Sequence, residues 1–317
     1  MLPGIWRLRL PCPWPGVPHV NAWAIEACDG VVLFDTGIGG PGGAGQLELG
    51  LRQAGFSLQD VRLLVCTHAH GDHYGAAGTV VDGSGCELWI HPAWEHIRTA
   101  VEDPDLAWER RIEVARLSGV SAEALERYEA RRGEPPVVDR IVEPDRELLA
   151  GLEIETDIGA WQVHETPGHA PSHVVFHQPE RGLMVSGDHL MGRVSLFFDQ
   201  GHSADPVAEF LASLDRVEGL QTGLCLPGHG RPFRSVGAKI EANRELVAEQ
   251  LGRVRDSLRQ GPKPAFDTVP ELLGDFYSPA TAGWGLQLAL SYLDHMRLAG
   301  AAAPLVEDQT TVWELAA

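Results

Sequence analysis

Between Cys66 and Gly75 the chain reads CTHAHGDHYG, which places three histidines and an aspartate inside the six positions His68 to His73. Imidazole and carboxylate are deprotonated or nearly so at neutral pH, and together they suit zinc or another borderline divalent ion. His68 and His70, one residue apart in a tight loop, can both face one ion. Asp72 and His73 can then serve a second ion beside it. One loop cannot saturate two ions, so other segments must contribute. Three further candidates stand at strand ends beside glycine: His169 in TPGHAPSH, Asp188 in SGDHL and His229 in LPGHG. Glycine lets backbone approach a site closely. A pair of ions also needs a bridging carboxylate, and Asp188 is the natural bridge.

These residues need elements to position them. NAWAIEACDGVVLFDTG reads as a hairpin with a turn at Asp29-Gly30 and a buried second strand ending at Asp35. GAGQLELGLRQAGF has helical periodicity and stops at Gly55. VRLLVCTH is a buried strand that delivers the histidine loop, and CELWIH is another. From Pro92 to about Arg132 the pattern is helical and charged. RIVEP, LEIETD, AWQVHETPGH, HVVFHQ and GLMVSGDHL read as short strands, DPVAEFLASLDRVEG as a helix capped by Asp205, and GLCLPGHG as a last strand entering a glycine-rich turn. This alternation predicts a layered core of mixed α and β elements. Beyond Arg234 come two long helices and a terminal hairpin.

Length and charge set outer bounds. The chain has 317 residues, a formal net charge of −19 and a pI near 5.1. Such a surface repels phosphate backbones and disfavours nucleic acid as a partner. No apolar run is long enough to span a bilayer. The N-terminal stretch MLPGIWRLRLPCPWPG is broken by prolines and lacks a signal-peptide core. The five cysteines are scattered, with no CxxC pair, as expected of reduced thiols in a cytoplasmic protein.

Taken in order, FDTG, THAHGDH, TPGH, SGDHL and PGHG resemble the metallo-β-lactamase superfamily, most closely its glyoxalase II-like branch. The resemblance covers roughly residues 17 to 235. It implies an α+β fold, a four-layer αββα sandwich with the metals at one edge of two facing sheets. It implies a catalytic domain over 1–235, with 92–135 as a helical insertion, followed by a small helical, winged-helix-like appendage over 236–317. By the same resemblance His68, His70 and His169 hold a first ion, and Asp72, His73 and His229 a second. Asp188 bridges, and Asp35 orients the metal loop. Two divalent ions, most simply zinc with iron or manganese as alternatives, would lower the pKa of a shared water. Asp72 and Asp188 would be the carboxylates acting in catalysis.

The remaining candidates carry less. His173 reads as a packing or hydrogen-bonding neighbour of the site. His189 points away from Asp188's side of an extended segment. His19, His91, His96, His164, His177, His202 and His295 lack ligand-like surroundings. Phe197 and Phe198, in SLFFDQGH, are candidates to line an apolar acyl pocket, and 92–135 to wall it. The expected function is hydrolysis of a small-molecule thioester or carboxylic ester. A lactone or β-lactam is the alternative within that chemistry, RNA processing the alternative outside it, and di-iron redox chemistry a further class. Oligomeric state is open.

Overall fold

The computed structural model describes residues 2–14, 16–193 and 195–316. Two strands, β1 (Ile5–Trp14) and β2 (Val17–Ala27), pair as one long antiparallel hairpin at the edge of the first sheet. β3 (Gly30–Phe34) continues antiparallel, and β4 (Val61–Val65), β5 (Glu87–Ile90) and the short β6 (Arg146–Glu147) follow in parallel. The second sheet contains β7 (Glu153–Ile154), β8 (Trp161–Glu165), β9 (Val174–Gln178), β10 (Leu183–Gly187) and β11 (Leu224–Pro227), in the order β11-β10-β9-β8-β7. β10 and β11 are parallel; the other neighbours are antiparallel.

Three apolar layers hold four structural ones. Helices α1 (Gly43–Ala54) and α2 (Ala77–Ser84) cover the outer face of the first sheet, where Leu47, Leu51 and Val80 meet Leu8, Leu33 and Leu64. Between the sheets, Trp23, Ile25 and Phe34 face Trp161, Phe176 and Val185, with the Phe34 and Phe176 rings edge-on at 5.0 Å. Strands covered on both faces read as continuous apolar runs, which is why β4, β9 and β10 show so little alternation.

The expected insertion forms α3 (Arg98–Glu102), α4 (Pro104–Leu117) and α5 (Ala122–Glu129). On the outer face of the second sheet lie α6 (Pro206–Glu218), capped as expected by the Asp205 carboxylate, and α7 (Val236–Leu258). The chain then adds β12 (Lys263–Pro264), α8 (Val269–Leu273), α9 (Ala282–Leu298) and the hairpin β13 (Ala302–Glu307) and β14 (Thr310–Leu315). The small sheet runs β12-β14-β13, the element order of a winged helix. No helix among the described residues is long and apolar enough to cross a membrane.

Two local expectations need correction. The hairpin turn is Cys28-Asp29, both at positive φ, and Gly30 is already paired with Ala27. Gly30 serves close approach instead: a Cβ there would lie 2.2 Å from the Asp60 carbonyl. RIVEP forms no strand; pairing begins only at Arg146. The proline-broken N-terminal stretch, for which no element is predicted, forms the ten-residue β1. As an edge strand it has one side free of ladder bonds, where Pro11 and Pro13 are tolerated.

The C-terminal region begins at Val236, but the apolar core does not stop there. Phe198, Phe210 and Leu214 share one buried cluster with Ile240, Tyr292 and Leu293. Each large apolar side chain stripped of such cover costs about 1.5–3 kcal/mol, so three of them rival the stability of a whole domain. A chain ending at residue 235 is therefore expected to lose cooperative folding. Urea unfolding of the two lengths checks this, and a shared midpoint would show instead that the two parts fold independently.

Candidate metal centre

At the carboxyl end of β4 the chain turns sharply into the histidine loop, and at the matching ends of the second sheet it delivers His169, Asp188 and His229. The loop is fastened from beneath by Asp35, just past β3. This residue has a left-handed backbone, φ 63°. Its carboxylate accepts hydrogen bonds from the Thr67 amide (2.7 Å), the Thr67 hydroxyl (3.0 Å) and His73 Nδ1 (2.8 Å). A strained conformation retained in a buried site is held by such surroundings.

The imidazoles are aimed by their far nitrogens. His169 Nδ1 donates to the Phe197 carbonyl (3.1 Å), and His68 Nδ1 to the Thr67 hydroxyl (3.0 Å). His70 Nε2 faces the Asp199 carboxylate at 3.4 Å. With those protons placed, His68 Nε2, His70 Nδ1 and His169 Nε2 carry bare lone pairs. They nevertheless converge, with His70 Nδ1 3.1 Å from each of the other two. Nitrogens about 2.0–2.1 Å from a tetrahedral zinc stand about 3.4 Å apart, so this set fits a cation.

The second set repeats the logic. His73 donates to Asp35, and His229 Nδ1 donates to the His19 carbonyl (2.8 Å), which leaves both Nε2 atoms bare. His229 Nε2 lies 3.2 Å from both Asp72 Oδ2 and Asp188 Oδ2, and His73 Nε2 lies 3.4 Å from Asp188 Oδ1. His73 Nε2 and Asp188 Oδ1 are buried without a hydrogen-bond partner. Asp188 Oδ2 also reaches to 3.7 Å from His169 Nε2, so this carboxylate faces both sets. All seven expected side chains thus meet in one place, as two histidine clusters around a shared aspartate.

The electrostatics divide the same way. Burial, reinforced by His70, pushes His169 down to about 4 despite the pull of Asp188. Burial and the neighbouring His73 and His70 hold His68 well below its ordinary value. In the second set burial also opposes charge, but there the carboxylates win. Asp188 and Asp72 lift His229 to about 10, and with Asp35 they raise His73 well above its usual range. Without a cation, protons occupy the second set, whereas His68 and His169 of the first are already neutral.

Two glycines make the approach feasible. A Cβ on Gly228 would sit 2.3 Å from Asp188 Oδ1 and 2.7 Å from His73 Cε1, and one on Gly187 would sit 2.7 Å from His173 Nε2. His173 lies behind Asp188: its Nε2 accepts the Asp188 amide (3.1 Å), while its Nδ1 donates to the Thr166 hydroxyl (2.8 Å). His189, fully buried against Phe210, faces away from the centre.

Phe197 and Phe198 part company. The partly exposed Phe197 ring lies 5.8 Å from His70 and 5.7 Å from His169, at the mouth of the site. Phe198 is a correction to the expected pocket lining. It is fully buried against Phe210 and Tyr292, because alternate residues of an extended segment take opposite sides.

Some neighbours of the centre escaped sequence reading. Asp199 faces His70, and His96 Nε2 stands 3.6 Å from the same carboxylate. His202 is stacked obliquely on His96 at 5.4 Å. The turn Pro92–Ile97 thus brings the start of the insertion to the site. The one signal for Asp199 was a lone acid directly after two phenylalanines.

Comparison with known proteins agrees with the geometry. The sequence model of the Metallo-beta-lactamase superfamily matches residues 15–229, and the chain belongs to that superfamily of divalent-metal hydrolases. It is similar to the probable metallo-hydrolase YqjP of Bacillus subtilis, 25% identical over 85% of each chain. A metallo-beta-lactamase family protein of Thermus thermophilus superposes with a TM-score of 0.84, at 26% identity over 99% of both chains. An atrochrysone carboxyl ACP thioesterase of Aspergillus fumigatus is 22% identical over 72% of this chain and 42% of its own length.

Asp35→Asn isolates the fastening. Asparagine tolerates the same backbone, but its amide presents a donor where three donors converge. Metal affinity is expected to fall about 10–100-fold, the usual cost of losing such a partner, with the fold retained. Competition with a chromophoric chelator measures it, and an unchanged affinity would remove Asp35 from the role.

Proposed function

We propose that this protein is a hydrolase of small-molecule thioesters or carboxylic esters, of glyoxalase II-like type, with two zinc-class ions held by the seven side chains above. The observation that carries this reading is the convergence of bare histidine nitrogens in two sets around one shared carboxylate. Any reading without a cation leaves lone pairs facing lone pairs in the buried first set, and buried protons on the histidines of the second.

His68, His70 and His169 would hold one ion, Asp72, His73 and His229 the other, and Asp188 both. When bound, the pair supplies hydroxide at neutral pH and polarises a carbonyl. The chain's own groups do the rest. Asp72, facing His229, orients the attacking water. Asp35 and Thr67 keep the loop rigid, and Asp199 and the Phe197 carbonyl keep two imidazoles in the required tautomer. Phe197 offers the acyl group an apolar wall. No separate side-chain nucleophile is needed. The thioesterase named among the similar proteins supports the choice of bond, and the five free cysteines suit a cytoplasmic location.

Metal uptake should show the difference between the two sets. His229 must lose a proton that the metal-free protein retains up to about pH 10, and His73, which the surrounding carboxylates also raise, must lose one too. Affinity for the second ion is expected to rise by about ten- to a hundredfold per pH unit through the neutral range, one factor of ten per proton displaced. His169 is already neutral above about pH 4, so the first ion should show a flatter dependence. Chelator competition at several pH values reads both; equal slopes would break the assignment.

The reaction itself is tested by offering metal-loaded protein acyl thioesters, lactones, S-lactoylglutathione, a chromogenic β-lactam and RNA. Thioester turnover is expected, and Asp188→Ala is expected to lower it by more than about tenfold together with metal content. Turnover of RNA alone, or an unimpaired Asp188→Ala enzyme, would refute the reading.

A further inference from the structure

We propose that the inner face of the β1–β2 hairpin is an anion subsite, in which Arg7 and Arg9, on one face beside His19, together with Arg231 from the loop just past His229, receive a phosphate or carboxylate carried by the substrate. The inference rests on reading the neighbouring centre as an acyl hydrolase. It adds that the preferred substrates are anionic, with the charge one side chain away from His229.

Position comes first. Arg7 and Arg9 are two residues apart on β1 and so share a face; their cross-strand partners are Trp23 and Asn21, and His19 follows opposite Pro11. Trp23 belongs to the core between the sheets and donates to the Pro227 carbonyl at 3.3 Å, which identifies this face as the inward one. Beyond Trp23 the hairpin outruns the second sheet, and its inner face meets the loop after β11, which carries His229.

The contact is specific. Arg7 Nε donates to Asn21 Oδ1 (2.7 Å), and Asn21 Nδ2 donates in turn to the carbonyls of Pro227 (2.8 Å) and Gly230 (3.0 Å). Arg9 Nη2 lies 3.2 Å from His19 Nδ1, and the His19 carbonyl is the acceptor that aims His229. A guanidinium only donates, so His19 accepts from Arg9 and turns its remaining N–H outward. The residues that orient the metal-facing histidine therefore also hold the arginines.

Charge is the second argument. Lys and Arg number 25 against 44 Asp and Glu, so acidic groups are in excess. Arg98, Arg116 and Arg244 lie against carboxylates. Among the described residues, Arg7 and Arg9, which share a strand face, and Arg231 make no such pair. Partial burial, then repulsion from Arg9 and Arg231, lowers Arg7 from its ordinary value. Like charges collected without counter-charges cost stability, and an arriving anion relieves the cost. Guanidinium forks match phosphate and carboxylate oxygens in pairs.

The shared chemistry has two sources: a phosphate on the thiol side, as in a phosphopantetheine thioester, or a carboxylate on the acyl side. A long polyanion is disfavoured by the −19 charge of the whole chain.

Three thioesters tested on the zinc-loaded full-length protein separate the cases: butyryl N-acetylcysteamine, which is neutral; butyryl 4′-phosphopantetheine; and succinyl N-acetylcysteamine. At least one anionic substrate is expected to exceed the neutral one in kcat/KM by about tenfold, mainly through KM, and the one that does so names the source. In the double variant Arg9→Gln/Arg231→Gln, both positions being exposed, that ratio is expected to fall towards one. Equal kcat/KM for all three substrates, or a ratio unmoved by the double variant, would overturn the subsite. Should no thioester be hydrolysed, the acyl-hydrolase reading fails by itself. Titration with the S-methyl thioether of 4′-phosphopantetheine then decides the subsite: binding about tenfold weaker in the double variant upholds it, and equal or absent binding rejects it. RNA cleavage weakened by the same double variant would transfer the patch to nucleic acid and overturn the small-molecule assignment.

Discussion

Everything in this site follows from where the protons on the imidazole rings are placed. Each histidine facing the centre has its distant nitrogen turned toward a fixed acceptor: a carbonyl for His169 and His229, a hydroxyl for His68, a carboxylate for His70 and His73. That choice of tautomer forces the other nitrogen to present a lone pair inward. A single inward lone pair can find water. The lone pairs of the first set cannot satisfy one another, because none brings a proton, and His73 and His229 meet Asp72 and Asp188 only by holding protons that a cation displaces. The arrangement is electrostatically unfavourable until positive charge arrives, so the acceptors behind the rings, more than the rings themselves, specify a cation site.

Sheet architecture explains how such a costly cluster can be assembled. Two facing sheets hold their strands through Trp23, Phe34, Trp161 and Phe176, well away from the polar edge. The loops that leave β4, β10 and β11 inherit fixed starting points and need little further stabilisation. Asp35 adds a cross-tie between β3 and the loop after β4, and Gly228 leaves the space that Asp188 Oδ1 and His73 occupy. The unfavourable local electrostatics are thus offset by apolar burial elsewhere in the same fold.

This division also explains what could be read from the sequence. His68, His70, Asp72 and His73 are legible because four metal-avid residues in six positions are hard to produce by chance, and His169, Asp188 and His229 because glycine marks each close approach. Asp199, His96 and the arginines of β1 have no such mark. Their meaning arises only when segments distant in sequence meet, as His70 and Asp199 do. β1 was hidden by prolines that only an edge strand accepts. Phe197 and Phe198 show the limit most clearly, since identical neighbours acquire opposite roles from a half-turn of extended backbone.

The C-terminal region shows that element order alone does not define an exposed recognition face. Its helix-strand-helix-helix-hairpin order is that of a winged helix, in which one helix must keep an open polar face to enter a DNA groove. Here α9 is closed on nearly every side: Leu286, Leu288, Leu290, Tyr292, Leu293 and Met296 are all buried. The hairpin adds Glu307, Asp308 and Glu314, charges of the wrong sign for a phosphate backbone. What α9 does reach is the segment that bears Phe197 and Asp199. Its Asp294 accepts a hydrogen bond from Gln200 at 3.3 Å, and its His295 lies 3.0 Å from the Asp205 carboxylate. The helix that reads DNA elsewhere is here turned inward, where it braces the wall of the metal site.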